Sequence, residues 1–203
     1  MSKKPLIVFE GIEGSGKSYH ISNVSKYLKK KKIDHIKLRE PGGSVNSEKI
    51  RKLILSKDSF FNKETDLLLY LAARSENIQL INKHYGKKVI LLDRFIDSTI
   101  AYQHYGLGVN LKLISTINQY LLKNIKINFT FLNIVNRKNM FKRLKVRKSL
   151  NRYDKFNNLF YRKVQNGFLN LSNKNKKKYL IVDSNLDIRE NKSLIIKKIE
   201  QLI

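Results

Sequence analysis

Apolar and polar positions along the chain follow two rhythms. Five short runs are continuously apolar and rich in β-branched residues, at 6–9, 35–38, 89–92, Phe129–Ile134 and 179–182. Apolarity at every position, rather than every second one, marks strands covered on both faces. Between the runs, apolar residues recur three and four apart, which is the helical rhythm. Ile21, Val24 and Leu28 share a face over 17–28, and Ile50, Leu53 and Ile54 do so over 44–55. Leu67, Leu68, Leu71, Ile78 and Ile81 form the stripe of a longer helix over 63–83, with Gly86 placed as its C-terminal cap. Further helical segments are expected at 111–122, 136–146, around Phe156, Phe160, Val164 and Phe168, and at 187–202. Strands alternating with helices predict one doubly wound α/β domain, a parallel five-stranded sheet flanked by helices with right-handed crossovers. Ligands of such a sheet gather beyond the carboxyl ends of its strands. Glu10, Arg39 with Glu40, and Asp93 with Arg94 close three of the runs and fall there.

The first strand–helix junction carries Gly11-Ile12-Glu13-Gly14-Ser15-Gly16-Lys17-Ser18, a full match to the phosphate-binding loop G-x-x-x-x-G-K-[ST]. The three glycines let backbone N–H groups turn inward around phosphate oxygens. Lys17 brings a mobile charge to the β- and γ-phosphates, Ser18 offers a hydroxyl to Mg²⁺, and the following helix adds the positive end of its dipole. A strand before and a helix after are the context this motif requires, so a nucleoside triphosphate is the expected ligand. The loop leaves the acceptor of the phosphate open.

Composition narrows the picture. The 203 residues suffice for one domain, and 41% hydrophobic content suffices for a core. No apolar run approaches membrane-spanning length, and residues 1–5 leave no room for a signal peptide before the first strand, so a cytoplasmic protein is expected. With no cysteine, disulfides and thiol chemistry are excluded. The net charge of +26 raises the question of a polyanionic partner. The basic residues are spread from end to end, however, and clusters such as 29–32 and 174–178 sit at helix ends without interleaved aromatics. Solvated surface is the better account of them than a nucleic-acid face. His20, His35, His84 and His104 show no metal-ligand spacing.

Phosphoryl transfer asks a protein for alignment and for positive charge over donor and acceptor phosphates. Arginines stand at loop positions (Arg39, Arg94, Arg147, Arg152) and on helices (Arg51, Arg74). Guanidinium groups suit bidentate phosphate contact, and a second phosphate-bearing substrate would account for their number. The basic stretch 143–152 reads equally as a lid over phosphates or as a surface loop. Tyr70 and Arg74 lie one turn apart on one helical face, as do Thr99 and Gln103. Asp97 reads either as a helix N-cap or as a contact to a ribose hydroxyl.

The loop, Arg39-Glu40-Pro41-Gly42-Gly43, Glu48-Lys49-Ile50-Arg51, Ala72-Ala73-Arg74, Asp93-Arg94-Phe95 and Ala101-Tyr102-Gln103 follow one another in an order and spacing that resembles the thymidylate kinases, within the nucleoside monophosphate kinases. The resemblance implies the P-loop nucleoside monophosphate kinase fold with a short lid at about 143–154, and transfer of the γ-phosphoryl group of ATP to dTMP with Mg²⁺, a step toward dTTP. It implies that Lys17 and the loop bind ATP, and that Glu10 helps hold Mg²⁺ or the acceptor phosphate. Arg94 would bind that phosphate with Arg39 assisting, and Asp93 would orient the metal or its waters. Tyr70 would stack on thymine, Arg74 would hydrogen-bond it, and Thr99 and Gln103 would read its edge. Glu13 stands where some members carry a loop arginine. The bacterial-like members supply lid arginines instead, a role that falls to Arg147 and Arg152. A homodimer is implied too. Three positions depart from the family pattern: Asn151 replaces the usual lid aspartate, and Lys163 and Gln165 replace arginines. The alternatives are a kinase for another nucleoside monophosphate or a deoxynucleoside, for which Glu10 could serve as base, and a basic nucleic-acid-binding protein regulated by ATP. Arginines converging on one cleft would favour conversion; a continuous basic stripe would favour nucleic acid.

Overall fold

The computed structural model describes residues 3–147 and 151–203. Its centre is a five-stranded, all-parallel sheet of β1 (Leu6–Glu10), β2 (His35–Arg39), β3 (Val89–Asp93), β4 (Phe129–Ile134) and β5 (Tyr179–Asp183), in spatial order β2-β3-β1-β4-β5. The three central strands β3, β1 and β4 are the most uniformly apolar, and each is buried along nearly its whole length. The edge strands β2 and β5 differ from the expectation of two-sided cover, since Lys37 and Ile181 face solvent. An edge has only one neighbour to shield it.

Helices α1 (Lys17–Lys30) and α8 (Ile188–Leu202) cover one face, packing Leu28, Ile195 and Ile199 on Phe9, Phe131 and Val182. On the other face lie α3 (Lys63–His84) and α5 (Leu111–Leu122), which bring Ile78, Ile81 and Leu122 against Leu6, Val8 and Leu92. Helix α2 (Val45–Leu55) leans on α3. The apolar stripes of these two helices are narrower than the sequence suggests, because Leu53 and Leu68 are about half exposed. Side chains of Ser44, Asn62, Asn110, Asn136, Asn157 and Asp187 accept hydrogen bonds from first-turn N–H groups and start six of the helices. The C-cap of α3 is Tyr85, one residue before the expected Gly86; its N–H donates to the Ile81 carbonyl, and Gly86 follows at φ 74°, where the chain turns toward β3.

The segment after β3 departs furthest from expectation. A single turn, α4 (Ile96–Thr99), runs into a π-helix at Ile100–Gly106. Phe95 occupies the N-cap position. Asp97 does not cap the turn: it lies inside α4, and its Oδ2 accepts from the Tyr179 hydroxyl at 2.8 Å. The π-helix packs against α7 (Asn158–Lys174) through two glycines. A Cβ on Gly106 would meet Phe160 at 2.6 Å, and one on Gly167 would meet Tyr105 at 2.7 Å. Between these layers Tyr102, Leu132, Met140, Tyr153 and Phe168 form a third core cluster, joined by α6 (Arg137–Lys145). Gln165, one of the departures, donates nothing to a cleft; its Oε1 accepts from the Val135 N–H at the end of β4, while Lys163 is exposed.

Candidate active site

The parallel register brings the charged strand ends to one level. Arg39 lies opposite Asp93, Asp93 opposite Phe9, and Glu10 follows one residue later. Beyond this edge is a cavity of about 400 Å³. Glu13, Gly14, Ser15, Gly16, Lys17 and Ser18 form one end of its lining. Gly16 ends the loop at φ 85° and leaves the first turn of α1 without a side-chain cap, so its N–H groups remain available to an anion. Gly11 and Ile12 lie behind the lining. A Cβ on Gly11 would stand 2.1 Å from the Asn133 carbonyl, and Ile12 packs into the core. These two contribute their carbonyls, which accept from Lys17 Nζ at 2.8 and 2.9 Å. Burial and then Arg94 push the Lys17 ammonium down to about 8. Ser18 Oγ donates to Asp93 Oδ2 at 3.3 Å, so a hydroxyl and a carboxylate face one point at the mouth of the loop.

Arg94 is the hub of the cavity. Its backbone adopts φ 68°, a conformation L-residues rarely take. Nη1 donates to the Gly11 carbonyl at 2.8 Å and to Ser98 Oγ at 3.2 Å, while Nη2 pairs with Glu13 Oε1 at 2.9 Å. The guanidinium lies over the Tyr102 ring at 5.1 Å, and the Tyr102 hydroxyl donates to the other Glu13 oxygen. Burial works against the Arg94 charge, but Tyr102, Glu13, Asp93 and Glu10 hold its pKa above the usual value. Burial would raise Glu13; Arg94, Lys17 and the Tyr102 hydroxyl outweigh it and keep the carboxyl below its ordinary range. The loop glutamate is therefore an ionised partner of Arg94.

The far end of the cavity is polar. Arg74, almost fully buried, donates from Nε to Glu40 Oε2 at 2.8 Å, from Nη1 to Asn118 at 2.6 Å and from Nη2 to Thr99 Oγ1 at 2.9 Å. Gln103 donates weakly toward Asp66 at 3.3 Å, and its Oε1 has no protein partner. Tyr70 lines the wall with its ring edge-on to Tyr153, and burial raises its hydroxyl to about 12. Arg39 lines the rim, held in two hydrogen bonds by Glu48 at 3.0 and 2.8 Å.

Two assignments made on sequence grounds are corrected by position. Glu10 does not face the cavity. Its carboxyl group is buried and accepts from Phe95 N–H at 2.8 Å, Ser98 N–H at 3.2 Å and Ser98 Oγ–H at 2.5 Å, so it is turned to the start of α4 and does not line the cavity. Arg152 does not reach over the phosphate loop. It is held by Asp66 of α3 and the Ile54 carbonyl and lies between the Phe61 and Tyr153 rings. Of the two proposed lid arginines, Arg147 alone lines the cavity, and Asp154 pairs with it at 3.2 Å. The Asn151 substitution leaves the local turn intact: Asn151 Oδ1 accepts from Tyr153 N–H, and Asp154 reciprocates on the Asn151 N–H at 2.7 Å. Of the lid expected at 143–154, residues 143–145 belong to α6 and 148–150 lie outside the described residues.

Several lining residues carry no role assigned from the sequence. Arg51 donates to the Pro41 carbonyl at 2.6 Å and enters the cavity beside Arg39; its place within Glu48-Lys49-Ile50-Arg51 was the available signal. Arg143 bridges the loop and β5, donating to the Gly14 carbonyl at 2.8 Å and the Ser184 carbonyl at 2.7 Å. Only its membership of a basic stretch hinted at this. Tyr102 lies in the Ala101-Tyr102-Gln103 segment, whereas Ser98 and Tyr153 carry no sequence signal separable from packing. Among the described residues, no group of three or more His, Cys, Asp or Glu is placed to hold a metal, and no helix is long and apolar enough to cross a membrane.

A triphosphate loop at the β1–α1 junction, sheet order β2-β3-β1-β4-β5, and a second arginine-lined chamber in the same cavity define a P-loop nucleoside monophosphate kinase. Comparison with known proteins narrows the class. The sequence profile of the family described as thymidylate kinase matches residues 9–195. The thymidylate kinase of Sulfurihydrogenibium sp. (strain YO3AOP1) is 37% identical over 198 residues, covering 96% of each chain. That of Mycoplasma capricolum subsp. capricolum is 36% identical over 187 residues, covering 90% of this chain and 88% of the relative. The crystal structure of thymidylate kinase from Ehrlichia chaffeensis superposes with a TM-score of 0.78 at 30% identity, covering 98% of this chain and 99% of that one. The chain belongs to the thymidylate kinase family.

Proposed function

We propose a division of labour among these side chains for the reaction of the family, transfer of the γ-phosphoryl group of ATP to dTMP, giving ADP and dTDP. The observation that carries it is the single cavity, in which the phosphate loop faces a chamber whose wall includes Arg39, Arg51, Arg94 and Arg147. Such convergence favours conversion of a phosphorylated acceptor over a nucleic-acid stripe. It also argues against a nucleoside acceptor, because Glu10, the carboxylate that could have served as base, is turned away from the cavity lining toward the start of α4, on two backbone N–H groups and the Ser98 hydroxyl.

Lys17 and the loop N–H groups hold the β- and γ-phosphates, with Arg143 clamping the loop at the donor end. Arg94 bridges donor and acceptor phosphates. Arg39 and Arg51 hold the acceptor phosphate, and Arg147 neutralises charge on the transferring group. No general base is required, since the acceptor oxygen is already anionic. The Ser18 hydroxyl and Asp93 carboxylate fit Mg²⁺, a hard cation that keeps most of its shell as water and phosphate oxygen, and the ion would supply charge neutralisation there. Tyr70 gives the base a flat apolar face. Arg74 has two further N–H donors beyond its three protein bonds, which suit a carbonyl such as thymine O4. The free Gln103 Oε1 suits the N3–H. Cytosine reverses both, with an amino group at position 4 and a bare N3. Thr99 acts by holding Arg74. The lid is the segment of about 143–154 within a single kinase domain, the protein works in the cytoplasm, and it forms a homodimer. For the last, exposed Leu53 on α2, Leu68 on α3 and Leu113 on α5 offer apolar side chains on helices of which α3 packs against each of the other two; a single-chain mass by sedimentation equilibrium would refute it.

A coupled ADP-release assay across nucleoside monophosphates and nucleosides tests the whole reading. Turnover with dTMP should exceed that with dCMP by about a hundredfold or more, the scale expected when a buried polar group is left unpaired. Equal rates would reject the base-reading roles of Arg74 and Gln103.

A further inference from the structure

The hydrogen bonds of Glu10 run in a direction that has a consequence for Arg94. Helix α4 starts without a side-chain cap of its own, since Phe95 occupies the N-cap position. The Phe95 and Ser98 N–H groups would be orphaned at a buried helix start. Glu10 satisfies both through one oxygen, at 2.8 and 3.2 Å, from a strand 85 and 88 residues away in sequence. Its other oxygen takes the Ser98 Oγ–H at 2.5 Å. A hydroxyl has one proton to give. With that proton committed to Glu10, Ser98 Oγ turns its lone pairs outward, and Arg94 Nη1 donates into them at 3.2 Å. Arg94 stands immediately before this turn, at its left-handed φ of 68°.

We propose that Glu10 and Ser98 are positioning residues for Arg94, with Glu10 fixing the direction of the Ser98 hydroxyl so that Ser98 accepts from, and thereby aims, the Arg94 guanidinium. The relay runs from β1 through α4 to the cavity and acts through Arg94. It rests on the role given to Arg94 above. The chemistry separates two functions of Glu10. As a cap it needs only an acceptor oxygen, which an amide also offers. As a director of Ser98 it needs an acceptor at the second position as well. Glu10→Gln preserves the first and reverses the second, because its Nε2–H₂ donates to Ser98 Oγ and turns the hydroxyl proton toward Arg94, where two donors then face each other.

The test is a double-mutant cycle on kcat with ATP and dTMP, with the KM for ATP and thermal unfolding measured alongside. Ser98→Ala and Glu10→Gln should each lower kcat by about tenfold or more, the scale of one charge-assisted hydrogen bond, with the KM for ATP little changed. The double variant should be no slower than the slower single one, because once the hydroxyl is gone Glu10 has nothing to direct. Ser98→Thr, which keeps the hydroxyl, should restore most of the turnover. Multiplicative losses in the double variant, or unchanged kcat in Ser98→Ala, would overturn the relay. If Glu10→Gln fails to fold, the contrast of Ser98→Ala with Ser98→Thr still decides, since equal kcat in the two would overturn it. Arg94→Ala is the control for the underlying reading. If it keeps full turnover, the role of Arg94 fails, an outcome distinct from a multiplicative cycle in an enzyme that needs Arg94.

Discussion

Arg74 is where stability and selectivity meet, and replacing it with Met separates them. The guanidinium is 2% exposed and its partner Glu40 is 5% exposed. Three hydrogen bonds, to Glu40, Asn118 and Thr99, converge on it at 2.6–2.9 Å, and it lies 5.2 Å from the Phe95 ring centroid. Burial raises the Glu40 pKa even with Arg74 present, so the carboxylate depends on this one cation. Removing one member of a buried pair leaves the other uncompensated and costs about 3–5 kcal/mol. For a chain of this size that is a fall in Tm of roughly 6–20 °C. The replacement preserves the unbranched shape, so the loss is electrostatic rather than a cavity. Adding Glu40→Gln to Arg74→Met removes the orphaned charge and should return about half of the lost stability. It should not return discrimination between dTMP and dCMP, because the donor opposite O4 is still missing. Urea unfolding followed by circular dichroism gives the first quantity, and the nucleotide panel gives the second. A loss below about 1 kcal/mol in Arg74→Met, typical of exposed pairs, or a double variant as unstable as the single, would refute the buried-pair account.

The two arginines first grouped as a lid should separate. Arg147→Ala should lower kcat about a thousandfold, the scale of a charge brought to a transferring phosphoryl group, with a smaller loss of Tm than Arg152→Ala, because Arg147 is half exposed and buried Asp154 keeps the Asn151 N–H; Arg152→Ala should cost about 3 kcal/mol of stability by leaving buried Asp66 unpaired. Equal kinetic losses at unchanged Tm would reinstate Arg152 over the phosphates. His20 is buried, and burial followed by the nearby Arg143 lowers its pKa from 6.5 to about 4. The unfolded chain therefore binds a proton between pH 6.5 and 4 that the fold refuses, so stability is full above 6.5 and falls as the pH drops through that window, by up to about 3 kcal/mol from this residue. Urea unfolding at pH 7 and pH 4.5 should show a smaller acid loss in His20→Gln than in the parent chain; an identical loss would assign the acid sensitivity elsewhere.

Motif and pattern reached most of the fold and the loop's place in it. The loop, the five strands, most of the helix starts and the strand-end charges were legible because each is a local matter of backbone freedom, periodicity or capping. The acceptor side was legible as residues but not as roles. Glu10 and Arg152 belong to motifs with a functional pedigree, and no local rule tells a carboxylate turned toward a cleft from one turned under a helix. The π-helix at Ile100–Gly106 was invisible, because its extra residue per turn is stabilised by the contacts of Gly106 and Gly167 across two elements rather than by its own sequence.

By itself, then, the order of residues determined the sheet, the triphosphate cradle and the family. Glu13 illustrates what remained. In the chain it is a loop position without an arginine. In the fold it is the ionised, buried partner of Arg94, 81 residues away, held also by Tyr102. Direction, burial and partnership decide what a charge does, and these are properties of the neighbours that distant segments bring, at dielectric and distance scales that sequence separation does not encode.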